Sequence, residues 1–155
     1  MTKAEIQEYT LRITQGNRTD LIVTTYDIIL KYIADASEEL KKQDKKKYKW
    51  NIKKANEFIA QLMGALDLQY EVSLQLFQLY RFAQKRLIEA SYEETDKKLE
   101  DAIPIFRELR EAFSEVAKQD NSGPVMRNID QVYAGLTYGK GSLNEIVERK
   151  KGFQA

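Results

Sequence analysis

Apolar residues recur along most of the chain at steps of three and four, the spacing that keeps one stripe of a helix turned toward a partner. Ile22, Tyr26, Ile29, Ile33, Ala36 and Leu40 form the first such stripe and predict a helix over about 18–42. Asn17 stands before it as a cap, with Asp20 three residues on near the positive helix end. Asn51 is a candidate cap for a second helix carrying Ile52, Ala55, Ile59, Leu62 and Leu66. A third stripe runs through Val72, Leu76, Leu79, Ala83, Leu87 and Ala90. A fourth, from Thr95 or Asp96 to about Lys118, carries Leu99, Ile103, Phe106, Phe113 and Val116. Pro104 lies inside it, where the lost hydrogen bond should kink the helix at a cost of about 3 kcal/mol.

The stretches between and beyond these stripes read differently. Residues 1–16 hold Ile6, Tyr9, Leu11 and Ile13 at irregular intervals, which predicts a mobile or loosely docked arm. Lys41–Trp50 is rich in lysine without apolar period, so like-charge repulsion predicts a solvated connection. Gln119–Pro124 is a cluster of breakers, where the helical domain should end. Beyond it, Val125, Ile129 and Val132 share one face of a short helix, and Ser142–Glu145 fits a capping box ahead of Leu143, Ile146 and Val147. Four amphipathic helices with short connections imply antiparallel neighbours. The pattern therefore predicts an all-α chain: an arm over 1–16, an antiparallel four-helix bundle over 17–118, and a C-terminal extension with short helices over 119–155. No repeat is visible.

Composition narrows the chemistry. The chain has 155 residues, no cysteine and no histidine, which suits one domain and removes disulfides, thiolate nucleophiles, serine–histidine dyads and histidine metal sites. Lysine plus arginine nearly cancel aspartate plus glutamate, for a net charge of +1. Such a balance gives no global pull toward nucleic acid or an anionic membrane. The N-terminus is polar and no apolar run is long enough to cross a bilayer, so a soluble, cytoplasmic protein is expected. Adjacent carboxylates such as Glu93 and Glu94 point about 100° apart on a helix and cannot converge. No phosphate loop, nucleophile elbow or dinucleotide fingerprint is present. The sequence predicts no catalytic residue, no metal and no cofactor.

More large apolar side chains exist than the four stripes use. Ile28, Tyr32, Phe58, Met63, Leu74, Phe77 and Tyr80 fall off those stripes. Two readings account for them: wide core faces in a tightly packed bundle, or a groove that receives another helix. The surplus as a whole favours the groove. The basic stretch Lys41–Lys54, with Tyr48 and Trp50 able to stack on bases, supports an alternative in which a small bundle binds RNA or an acidic partner.

Several segments then resemble one family in order. Thr19–Asp27, with its leucine-rich turn leading into Tyr26-Asp27, is similar to the opening helix of the flagellar secretion chaperone FliS family. Lys54–Ile59 and Leu62–Asp67 resemble its second helix. Leu79–Ser91, from a Leu-Tyr pair to Arg86-Leu87-Ile88-Glu89-Ala90, resembles its third-helix signature, and Leu109–Phe113 fits its last bundle helix. The likeness covers about 17–118. It implies a non-enzymatic cytoplasmic chaperone that binds the C-terminal helical segment of flagellin and blocks its premature polymerisation. It also implies delivery of that client to the cytoplasmic domain of the flagellar export gate. The family's N-terminal arm lies near its groove, so Tyr9, Leu11 and Ile13 are the residues expected to fill the groove when no client is bound.

Overall fold

The computed structural model describes residues 1–125, and all their regular structure is helical: α1 Lys3–Gln15, α2 Arg18–Lys41, α3 Lys45–Gly64, α4 Glu71–Glu93 and α5 Leu99–Gln119. The first three helices each start on a side-chain cap. Asn17 and Asp20 form a reciprocal capping box, the Asn17 side chain accepting from the Asp20 amide at 2.8 Å and the Asp20 carboxylate from the Asn17 amide at 3.0 Å. Thr2 and Glu5 repeat the device ahead of α1.

Residues 3–15 are therefore a helix rather than a loose arm. With Leu11 set aside as an exposed residue, Ile6, Tyr9 and Ile13 stand at steps of three and four and face inward. Ile13 is fully buried. The lysine-rich stretch is also not a connection. The chain turns within Lys42–Asp44, where Gln43 takes a positive φ of 62°. Asp44, not Asn51, caps α3, accepting from the Lys47 amide at 3.0 Å. Tyr48 is completely buried and donates from its hydroxyl to the carbonyls of Ala90 and Thr95 at 2.9 and 3.0 Å.

α2 packs against α3 and α5, and α4 packs against the same two from the far side, with α1 laid on the outside of α2. The contacts fix the directions. Ser37, late in α2, donates to Asp96 ahead of α5 at 2.9 Å, while Asn17 at the start of α2 donates to the carbonyl of Asp120 behind α5 at 3.1 Å. Neighbours thus run in opposite senses. At the centre the Tyr26 and Tyr80 hydroxyls share a 2.5 Å hydrogen bond, and the Phe106 ring stacks on Tyr80 with centroids 6.4 Å apart. Burial of an aromatic ring of this size contributes roughly 1.5–3 kcal/mol. Burial also raises the pKa of both tyrosines, so neither is available as an acid.

The α4 stripe is rotated from its expected position, whereas on α5 the expected Leu99, Ile103, Phe106 and Phe113 do pack inward and only Val116 does not. On α4 the inward residues are Ser73, Tyr80, Ala83, Leu87 and Ala90, while Val72 and Leu79 face outward. On α5, Leu99, Ala102 and Phe106 are inward and Val116 is exposed. α5 continues unbroken through Pro104, whose ring is exposed.

After α5 the chain turns back to the α1–α2 junction. Thr19 donates to the Asp120 carboxylate at 2.7 Å, and the Val125 amide donates to the Gly16 carbonyl at 3.2 Å. A Cβ at Gly16 would stand 2.8 Å from both the Arg12 carbonyl oxygen and Asp20 Cβ, so this crossing of α1 over α2 requires glycine for space. The helices expected through Ile129 and Val132 and behind Ser142 lie outside the described residues.

Candidate partner-binding surface

The surface that could receive another helix lies on α4 and its surroundings. Leu68 and Tyr70 in the α3–α4 connection, Val72, Leu74, Leu79 and Phe82 on α4, and Val116 on α5 are all exposed. Leu76 of α4 and Leu109 and Phe113 of α5 are partly buried against the core. Val72 is 61% exposed and Phe82 43%, a density of apolar side chains that a fully partnered surface would not leave in water.

A second apolar face is already covered. α2 is buried nearly all round because α1 lies on its outer side. The cover is held by charge. Asp27 on α2 takes a 2.6 Å ion pair from Arg12 of α1 and a further pair from Arg110 of α5, so one carboxylate joins three helices. Higher up, Lys31 pairs with Glu5 of α1 at 2.9 Å and with Asp35 at 2.7 Å, and the Met1 amino group also meets Asp35. The Thr2 amide, joined by Lys31, holds the Glu5 carboxyl down at about 2. These pairs are partly exposed, so each contributes little alone.

A family model described as "Flagellar protein FliS" matches residues 1–120. The chain belongs to the FliS family. No protein of curated function matches it. FliS proteins are flagellar export chaperones and not enzymes, so the function lies in holding a protein partner. The FliS match begins at residue 1 and so includes α1, which the sequence resemblance over 17–118 did not reach. Among the described residues no helix is long and apolar enough to cross a membrane.

Against this surface the expected groove residues divide. Ile28, Tyr32, Phe58 and Tyr80 are 2% exposed or less and belong to the core. Tyr32 stacks on Phe58 with centroids 6.0 Å apart, and Tyr80 meets Tyr26 and Phe106. These four fill the core, with the Tyr26–Tyr80 pair crossing from α2 to α4 and Tyr32 meeting Phe58 between α2 and α3. Met63 and Phe77 are half-buried and Leu74 is exposed; Leu74 and Phe77 share the side of α4 next to α3. Of the arm residues, Ile13 is inserted, Tyr9 is half-buried under the Arg12 guanidinium, and Leu11 faces solvent. Val72, Leu79 and Phe82 were missed as surface residues. The first two also fit a core stripe, and Phe82 lies within the quoted family signature without an assigned role.

Of the two rings expected to stack on RNA, only Trp50 is exposed, at 47%. Tyr48 is buried, and Trp50 packs edge-on against Tyr32 with the Lys54 ammonium 5.6 Å over its ring. Several lysines of the segment are already paired: Lys47 with Asp44, Lys49 with Glu94 and Lys54 with Glu57.

Proposed function

We propose that this chain is a cytoplasmic chaperone for flagellin whose α2–α5 form an antiparallel four-helix bundle. Its client is the C-terminal helical segment of flagellin. The observation that carries this reading is the cluster of unpartnered apolar residues on α4, in a chain of the FliS family. Flagellin ends that assemble through amphipathic helices have the complementary chemistry: an apolar stripe that must stay covered until assembly. Coating that stripe prevents polymerisation and keeps the client extended enough for type III export, and the complex is delivered to the export gate. In this reading α4 receives the client on two sides, through Leu74 and Phe77 with Met63 next to α3, and through Val72, Leu79 and Phe82 on the other side. α1, with Tyr9 and Ile13, is the cover that client binding displaces from α2, which brings Ile28 into reach.

The test is gel filtration of the protein mixed with full-length flagellin and with flagellin lacking its C-terminal segment. A 1:1 complex with the first and none with the second is expected. Separate peaks with intact flagellin would contradict the assignment.

A further inference from the structure

The other end of α4 carries a different surface. Between α3 and α4 runs an open groove of about 410 Å³, lined by Lys49, Ile52, Lys53, Asn56, Ile88 and Tyr92, with Ser91 completing its wall. Its floor is aliphatic, and Gln84 of α4 donates to the Asn56 carbonyl at 3.2 Å, fixing the two helices side by side. Ile88 is half exposed and Tyr92 is 85% exposed. The Asn56 side-chain oxygen is buried here without a hydrogen-bond partner.

The rim is basic on both sides. Lys45, Lys49 and Lys53 follow at steps of four along the α3 edge. Lys85 and Arg81 lie one and two turns before Ile88 on α4. Glu94 meets this rim and is already held by Lys45 and Lys49, and Glu57, the next step of four after Lys53, is held by Lys54. Lys53, Arg81 and Lys85 make no ion pair among the described residues.

We infer that this groove docks a partner helix whose apolar stripe is flanked by aspartate or glutamate. An aliphatic floor between parallel ridges fits a helix laid lengthwise, its stripe over Ile52, Ile88 and Tyr92. The uncompensated cations on both ridges select carboxylates on both flanks, and like charges there would be rejected. A single-stranded nucleic acid fits less well, since it needs successive ring platforms and the groove offers only Tyr92. The inference does not rest on the flagellin assignment, because Val72 and Leu74 lie at the opposite end of α4.

The probes are two synthetic amphipathic helices with the same leucine stripe, flanked by glutamate in one and by lysine in the other. They are titrated into the full chain and followed by backbone amide NMR. The glutamate helix should bind, shifting amides of Lys49–Asn56 and Ile88–Tyr92, and the lysine helix should not. Lys53→Glu with Arg81→Glu should weaken the glutamate helix about tenfold, equal to about 1.4 kcal/mol. Ile88→Ser should weaken it with no change in the circular dichroism of the protein. Equal binding of both helices, or shifts centred on Val72, Leu79 and Phe82, would overturn the inference. So would displacement of the peptide by an oligouridine with steep salt dependence. Binding that appears only after removal of residues 126–155 would assign the groove to the chain's own C-terminal segment and overturn it as well.

Discussion

Leu79 and Tyr80 are neighbours in the chain with opposite tasks. Leu79 faces water, whereas Tyr80 is 2% exposed and reaches across the core to the Tyr26 hydroxyl. The apolar spacing alone admits either as the inward residue, because 72, 76, 79, 83 and 73, 76, 80, 83 both advance by three and four. What selects the second is length and chemistry: only a tyrosine spans from α4 to α2 and ends on a hydrogen-bonding partner. A stability contrast follows. Leu79→Ser should change unfolding free energy by less than about 0.5 kcal/mol, as surface changes do. Leu87→Ala, at a fully buried α4 position, should cost about 2–5 kcal/mol. Urea melts followed by circular dichroism measure both.

Among the elements, α1 is the one whose attachment is electrostatic as much as apolar. The Glu5 carboxyl sits at about 2 when docked, against an ordinary 4.5, because the Thr2 amide and Lys31 stabilise its charged form. Asp120, held at about 2 by Ser122 and Thr19, ties the chain after α5 to the start of α2 and does not touch α1. A group with a lowered folded pKa contributes above its unfolded value and loses that contribution as pH falls through the folded one. Protection of α1 amides from hydrogen exchange should therefore decline between pH about 4.5 and about 2, ahead of α2–α5. Glu5→Gln should flatten that response. An α1 whose protection follows the rest of the protein would refute it. The same element shows where the sequence was legible and where it was not. α2 could be read almost to the residue, since its stripe and its Asn17–Asp20 box agree. α1 carries an equivalent Thr2–Glu5 box, but Leu11 obscured the stripe of Ile6, Tyr9 and Ile13. In α3 the run of lysines hid a helix whose cap is Asp44, because charge on an exposed face says nothing against helicity when Lys47 and Lys54 find a carboxylate a turn away, and Lys45 and Lys49 find Glu94 beyond the end of α4. Of the residues expected to line a groove, Leu74 is exposed and Phe77 and Met63 are half-buried, while Ile28, Tyr32, Phe58 and Tyr80 lie in the core. Periodicity reports that a helix has two apolar sides, but not which side another element of the same chain will cover.

At the scale of the whole molecule, the chain divides its apolar surplus into three parts. One part closes the core around Tyr26, Tyr80 and Phe106. A second lies beneath α1, held by Asp27, Lys31 and Asp35. The third stays in water on α4, and we propose that its part nearer the start of the helix, with Val72, Leu79 and Phe82, receives the flagellin client. Calorimetric titration of a flagellin C-terminal peptide into the wild-type protein and into Phe82→Asp with Leu79→Asp tests this most directly. The account predicts saturable 1:1 binding, weakened at least about tenfold, or about 1.4 kcal/mol, in a variant whose helical signal is unchanged. No binding by the wild type, or equal binding by a folded variant, would contradict it.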